Sequence, residues 1–420
     1  MVRLRAALAL EQAELGIIPA EAAQEIAKNA HVDKVDVEAI GAGIRRIKHP
    51  LIPAVKAVQD LCRADLGEYI HFGPTTQDVL DTGTVLQIKA AHAIYLRDMK
   101  AIGKALAKLA TDHKATPMAG RTHGVQALPI TFGHKAAVWL SEMGRNYERM
   151  RELEKRVFVG GMVGAVGTQA SFGPYGPELE KRVMKRLGLG VADINWQPAR
   201  DRFAEYVCTL AIIGGTLGKI ANEVVNLEHT EIGELYEPFS EGKVGSSTMP
   251  HKRNPSTCEA VVGVSRALRY NAAIVIEGME IEHERDGSSW RAEWKALPES
   301  CLIMGAMLSM MKYVLEGLDV DVEQMRENLD RLGGFLLSER VMFALSGKVG
   351  KQTAHDLVYE ASMHGIEKGV TFERALMENK QVRDALTADE LRAVLDPTTY
   401  IGHATQIVER VVKEQESWLK

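Results

Sequence analysis

Four long stretches of this 420-residue chain contain no proline: between Pro129 and Pro174, Pro198 and Pro238, Pro255 and Pro298, and Pro298 and Pro397. Proline inside a helix removes a backbone donor and clashes with the preceding turn, so its absence is what a long helix requires. Each stretch has room for a helix of about 25 residues, against a usual length of about 11–12. In PITFGHKAAVWLSEMGRNYERMRELEKRV the apolar Ile130, Phe132, Ala136, Leu140, Met143, Tyr147, Met150 and Leu153 recur at threes and fours. Pro129 fits the first turn of that helix, where its missing donor costs nothing. RFAEYVCTLAIIGGTLGKIANEVVNLEHTEIGEL is apolar around most of its circumference, which predicts a helix inside a bundle. Its Gly214, Gly215 and Gly218 predict close helix–helix approach. TCEAVVGVSRALRYNAAIVIEGMEIEHERD has the same character, and no run of alternating strands appears. The fold class is therefore all-α, an elongated long-helix bundle.

Three parts are expected. Residues 1–93 hold shorter helical pieces broken by Pro and Gly, beginning with an amphipathic helix in MVRLRAALALEQAELG. Residues 94–340 carry the long helices, and residues 341–420 return to short ones. A net charge of −5 provides no basic footprint for nucleic acid. Cys62, Cys208, Cys258 and Cys301 are scattered singly, which suits reduced thiols in the cytoplasm better than a disulfide framework. No stretch of about 18 uninterrupted apolar residues is present, so no membrane span is expected.

Four polar islands interrupt the helices: HFGPTTQDVLDTG (71–83), GRTHGVQALP (120–129), GKVGSSTMPHKRNPST (242–257) and EHERDGSSWRAEW (282–294). Each has a plain reading. Thr75 to Asp78 can be a helix cap, GRTHG a turn, Lys252 and Arg253 solvated charges, and HERD an exposed ion-paired face. Together they form an inventory. Thr75, Thr76, Ser246 and Ser247 offer hydroxyls; Gln77 and Asn254 offer amides. Arg121, Lys252 and Arg285 bind carboxylates, and His71 and His123 move protons. That set suits acid–base chemistry on a small multi-carboxylate molecule. There is no H-E-x-x-H pair, no phosphate loop and no G-x-S-x-G elbow, so neither metal nor cofactor is implied.

GSSTMPHKRNP, residues 245–255, resembles the signature loop of the fumarase/aspartase superfamily, written loosely G-S-S-x-M-P-x-K-x-N, at every specified position. HFGPTTQD and GRTHG resemble its first and second conserved regions, in chain order. The resemblance implies a homotetramer whose long helices form a twenty-helix core, with active sites shared between subunits. It implies reversible anti β-elimination, commonly releasing fumarate from a succinyl compound. Ser246 would be the general base, on a loop hinged at Gly242 and Gly245. His123 would protonate the leaving group, assisted by His71. Thr75, Thr76, Gln77, Arg121, Thr122, Gln197, Ser247, Lys252, Asn254 and Arg285 would bind substrate.

Two branches compete. GRTHG, PHKRNP and HERD resemble adenylosuccinate lyases, in which a departing amine must be protonated. TTQDVLDTG, ALPITFGHK, QPARDRFAEY and SSWRAEWKALPE resemble 3-carboxy-cis,cis-muconate cycloisomerases. Two departures weaken a nucleotide substrate: Trp294 stands where adenylosuccinate lyases carry a phosphate-binding Arg, and their N-terminal R-Y-x-x-P-E segment is missing, trimmed or never present. The expectation is a carbon–nitrogen lyase releasing fumarate, with the lactonising cycloisomerase and a non-catalytic structural relative as the alternatives.

Overall fold

A computed structural model describes residues 1–239, 248–249 and 251–420. Gly242, Gly245, Ser246 and Ser247, the proposed hinges, base and neighbour, lie outside the described residues.

The chain is all-α apart from small two-stranded sheets. Four helices come first: α1 (Val2–Glu14), α2 (Ala20–Asn29), α3 (Val37–Ile47) and α4 (Ile52–Gln59). Then follow α5 (Thr76–Asp112), strands β1 (Pro117–Thr122) and β2 (Val125–Thr131), α6 (Phe132–Val157), α7 (Gly176–Leu187), α8 (Asp201–Leu227), α9 (Ser256–Glu277), α10 (Gly287–Glu316) and α11 (Val322–Asp330). Six more close the chain: α12 (Ser338–Val349), α13 (Lys351–Lys368), α14 (Phe372–Glu378), α15 (Lys380–Ala385), α16 (Ala388–Val394) and α17 (Ala404–Leu419). Packing divides it into two units. The first comprises Met1–Leu96, Glu148–Ile212 and Arg266–Gly305; the second comprises Arg97–Tyr147, Ile213–Ser265 and Ala306–Lys420.

Long helices fill three of the four proline-free stretches, as α6, α8 and α9, but the longest, α5, lies between Pro74 and Pro117, and after α10 the stretch beyond Pro298 holds helices of at most 18 residues. Two prolines also depart from the expected roles. Pro129 does not start a helix: it lies in β2, opposite Ala119 of β1. A two-stranded ribbon has only edge strands, and an edge tolerates the missing donor. The helix begins instead at Phe132, because the Thr131 hydroxyl accepts the His134 amide at 3.1 Å and caps the first turn. Nor does Pro298 end a helix, since α10 runs through it. Of the three glycines expected at a close approach in α8, Gly218 fits: an added Cβ would meet Ser265 Oγ of α9 at 2.9 Å, whereas at Gly215 it would meet nothing within 4 Å.

In the first unit, α1 departs from a simple amphipathic pattern: Arg5, Glu11 and Gln12 are buried along with Leu4, Ala7 and Leu8. Each polar side chain compensates with a bond. Arg5 donates to the Ala54 carbonyl at 3.0 Å, Gln12 donates to the Phe72 carbonyl at 2.8 Å, and Glu11 pairs with Arg186 of α7. Helix α8 is long and apolar enough by composition to cross a membrane, but its most apolar window is 61% buried within the protein, as befits a core helix. In the second unit, Val341, Leu345, Leu357, Phe372 and Leu376 build a separate core for the C-terminal helices. Trp418 of α17 stacks on Tyr147 of α6, with ring centroids 4.9 Å apart.

Candidate active site

The first polar island becomes the start of α5. Thr76 opens the helix, and the Asp78 carboxylate reaches back to accept the Thr75 amide at 2.9 Å, half of a capping box. Asp78 does more than cap. It also accepts the amides of Val163 (3.1 Å) and Gly164 (3.0 Å) and the Gln197 side chain (2.9 Å). Burial pushes its carboxyl up to about 6, while these four donors pull the other way. Asp78 is thus ionised at neutral pH and ties the first turn of α5 to the loop at 163–164 and the segment before α8. Arg285 donates to the Thr75 hydroxyl at 3.1 Å, setting a guanidinium at the helix N-terminus. Thr75, Gln77, Gln197 and Arg285, predicted to act together from three separate places in the chain, form one hydrogen-bonded group with Asp78.

His71 lies just upstream with φ +62°, and its Nδ1 is buried with no partner among the described residues. Burial, then the nearby charges of Arg5 and His49, lower it to about 4. It is a neutral imidazole at physiological pH. His71 and Asp78 oppose one another in acid. The depressed His71 contributes stability that is complete above its ordinary 6.5 and is lost as pH falls through about 4. The raised Asp78 contributes stability that is complete below its ordinary 3.8 and is lost as pH rises through about 6. Replacing His71 by Gln should therefore unmask the opposing effect of Asp78. Relative to wild type, urea stability of that variant will gain a downward slope between about pH 4 and 6, by at most ~1.4 kcal/mol per pH unit. Parallel pH profiles for the two proteins would contradict it.

Behind this turn lies a buried cluster of charges that the sequence reading did not anticipate. Arg200, just before α8, pairs with Asp81 of α5 at 2.6 Å and with Glu293 of α10 at 2.5 Å, and all three side chains are almost fully buried. The Trp290 indole donates to Asp81 at 3.0 Å, and the Gln77 amide to the same carboxylate at 3.1 Å. Burial works against the Arg200 charge, but Asp81 and Glu293 hold it above its ordinary value. Burial raises the Glu293 carboxyl, which shares its one cation with Asp81. Trp294, partly exposed, packs edge-on against Trp290 at 4.9 Å between centroids. Asp286 caps α10, accepting the amides of Ser288 (2.7 Å) and Ser289 (3.0 Å), so the HERD stretch ends as a helix cap.

The second unit holds the second island. Thr122 and Val125 are paired, leaving His123 and Gly124 as a two-residue turn with φ +54° and +80°. Two positive φ values define the hairpin turn whose twist matches its strands, normally built from Asn and Gly. His123 is unusual there, and it is exposed with Thr122 at the tip. His283 of the fourth island also has positive φ, +55°. Such conformations in non-glycine residues are uncommon and concentrate at functional sites.

Arg121 turns away from the tip. A register irregularity between Ala119 and Arg121 marks a bulge. The guanidinium then grips the buried Glu234 with two parallel bonds of 2.9 and 2.7 Å, and Asn328 donates to the same carboxylate at 2.7 Å. The carboxylate held by Arg121 here is thus one of the chain's own. Arg121→Met should cost about 3–5 kcal/mol in urea denaturation, because Glu234 would be left charged and buried. Arg121→Lys should recover only part, lacking the fork.

Lys252 is exposed and Asn254 half-buried, both just ahead of α9. The N-terminal amides of α9 are taken by Glu237, which accepts Cys258 at 2.5 Å and Thr257 at 3.3 Å. The predicted residues therefore fall into groups by unit: His71, Thr75, Thr76, Gln77, Gln197 and Arg285 in the first, and Arg121, Thr122, His123, Lys252 and Asn254 in the second. Asp78 could have been found from the T-x-x-D spacing. Asp81, Arg200, Glu293, Glu234 and Asn328 carry no local signal.

Comparison with known proteins gives the family. Residues 2–269 match the family described as Lyase, and residues 334–411 the one described as Adenylosuccinate lyase C-terminus. The chain is 50% identical over 412 residues to the N-acetyl-S-(2-succino)cysteine lyase of Dickeya dadantii, covering 98% of this chain and 90% of that one. It is 39% identical to the adenylosuccinate lyase of Methanothermobacter thermautotrophicus, covering 100% and 94%. The 3-carboxy-cis,cis-muconate lactonizing enzyme from Pseudomonas putida superposes with a TM-score of 0.95 at 32% identity, covering 100% of this chain and 94% of that one. The chain belongs to the fumarase/aspartase superfamily, on the branch of adenylosuccinate lyases and carboxymuconate cycloisomerases, and it is a lyase.

Proposed function

We propose that this lyase cleaves a carbon–sulfur bond, releasing fumarate and a small thiol from an S-(2-succinyl) thioether. The observation that carries the reading is the 50% identity, across 98% of the chain, to a succinocysteine lyase. Sulfur thus replaces the nitrogen expected from the sequence. Trp294, where the resemblance implies a phosphate-binding Arg in nucleotide-cleaving relatives, supports a substrate without a nucleotide. The nitrogen reading remains the second, favoured by the 39% identity to an adenylosuccinate lyase.

In the proposed mechanism Ser246 removes a proton from the succinyl CH2 carbon, which carries its own carboxylate and neighbours the carbon that bears sulfur. The resulting charge spreads onto that carboxylate as an aci-carboxylate, which needs preorganised donors and cations. Lys252, Asn254, Ser247, Arg285 and the Thr75–Thr76 hydroxyls supply them; Gln77 and Gln197 hold the turn. The C–S bond then breaks with its electron pair on sulfur. A thiolate, with a conjugate acid near ~8.5, leaves without full protonation. His123 then protonates the thiolate, assisted by His71, a neutral imidazole. A homotetramer with shared sites, which the superfamily resemblance implies, is part of the proposal. Tyr270 and Ile276 of α9 and Leu302 of α10, more than half exposed, are apolar faces of the kind oligomers cover. The chain acts as a three-part cytoplasmic enzyme of 1–93, 94–340 and 341–420, without cofactor, nucleic acid or membrane.

The test incubates the protein separately with N-acetyl-S-(2-succino)cysteine, adenylosuccinate and 3-carboxy-cis,cis-muconate. Fumarate and free thiol should appear one for one from the first. The kcat/KM on adenylosuccinate should be at least ~100-fold lower. Equal or better turnover of adenylosuccinate would replace the sulfur reading, and lactonisation alone would make the protein a cycloisomerase. Sedimentation showing an active monomer would contradict the shared site.

A further inference from the structure

A cavity of about 10 Å³ lies behind the first turn of α5, lined by Gln77, Asp78, Asp81, Thr82, Gly161, Val163, Trp196 and Gln197. That volume is close to the minimum that admits one water molecule. The Oε1 atoms of Gln77 and Gln197 are both buried without a partner among the described residues, in side chains on residues 1% and 4% exposed. Rotating either amide does not solve this. Gln77 Nε2 already donates to Asp81 and the Gln197 carbonyl, and Gln197 Nε2 to Asp78 and the Gly164 carbonyl. A flip would set oxygen against oxygen at every one of those contacts.

We propose that this cavity is a built hydration site holding one ordered water, which donates one hydrogen to Gln77 Oε1 and the other to Gln197 Oε1. The count of free acceptors matches what one water donates. A metal ion fits less well. Both Asp78 oxygens already accept two donors each, and so do both Asp81 oxygens. Only two amide oxygens would remain as ligands, below the six or more that hard cations take. The water joins the first turn of α5 to the segment before α8, the same two elements that Asp78 ties together. Both glutamines then face inward, and they serve a substrate through the turn they hold. This inference is independent of the leaving atom.

The first test is diffraction from wild-type crystals at high resolution. A single water peak within hydrogen-bonding distance of both Oε1 atoms is expected. An empty cavity, or a peak whose height and short contacts identify a metal ion, would overturn the site. The second test is a urea double-mutant cycle with Gln77→Met and Gln197→Met. The one direct bond between the two residues, from the Gln77 amide to the Gln197 backbone carbonyl, survives Gln197→Met, so coupling reads the shared guest. The second substitution should change the unfolding constant about tenfold less than the first, because the water is already lost. Strictly additive losses would overturn the proposal.

Discussion

Arg200→Met will destabilise the protein by at least about 3–5 kcal/mol, because two carboxylates would stay in the interior with no cation between them. Asp81 and Glu293 approach the guanidinium to 2.6 and 2.5 Å with side-chain exposures of only 6% and 3%. The loss should exceed that of a typical broken pair, since the remaining charges also repel each other. Protonating one of them relieves part of the cost, so the deficit should shrink as the pH is lowered toward 5. The measurement is urea denaturation of wild type and variant at pH 7.5 and 5.5 (about two units apart). A loss below ~1 kcal/mol at neutral pH would mean that water reaches the cluster. The variant should also lose activity, because Asp81 holds Gln77 and Trp290 as well as Arg200.

The second large effect concerns chemistry rather than stability. Ser246→Ala should lower kcat about 10²–10⁴-fold, the usual contribution of a positioned general base. His123→Asn is the more informative partner. Asn is a preferred residue for a left-handed turn, so the hairpin should fold and the thermal midpoint should hold. With a succinyl thioether the loss of kcat should be about tenfold, because a thiolate departs largely unaided. With a succinyl amine the loss should approach the full 10²–10⁴-fold, because an amine must be protonated as it leaves. Equal losses on both substrates would take His123 out of the acid role. Full activity of Ser246→Ala would remove the base assignment.

How much of this was readable from residues alone depends on the range of the interaction. The long helices were, because the absence of proline and the three-and-four spacing are local. So was the T-x-x-D cap of α5. The β-hairpin was not: GRTHG reads as a bare turn, and Pro129 reads as a helix start, until pairing with β1 decides otherwise. The Arg200 cluster joins residues 81, 200 and 293, and the Arg121–Glu234–Asn328 cluster spans as far. Charges that meet only after folding leave no periodicity to detect. Arg121 shows the cost, since a cation in a polar motif reads as a substrate ligand and nothing local announces the Glu234 carboxylate it grips.

Pro298 has a mechanical meaning for α10. A proline cannot return a hydrogen bond to the carbonyl four residues earlier, which here is that of Trp294. The helix therefore lacks one hydrogen bond at that point, with Trp290, Glu293 and Trp294 all before the proline. Opening the turns there breaks one bond fewer than in an unbroken helix. Amide exchange on either side of Pro298 should then be less tightly coupled than in an unbroken helix, while Trp290 and Glu293 hold the turns before it to the Arg200 cluster.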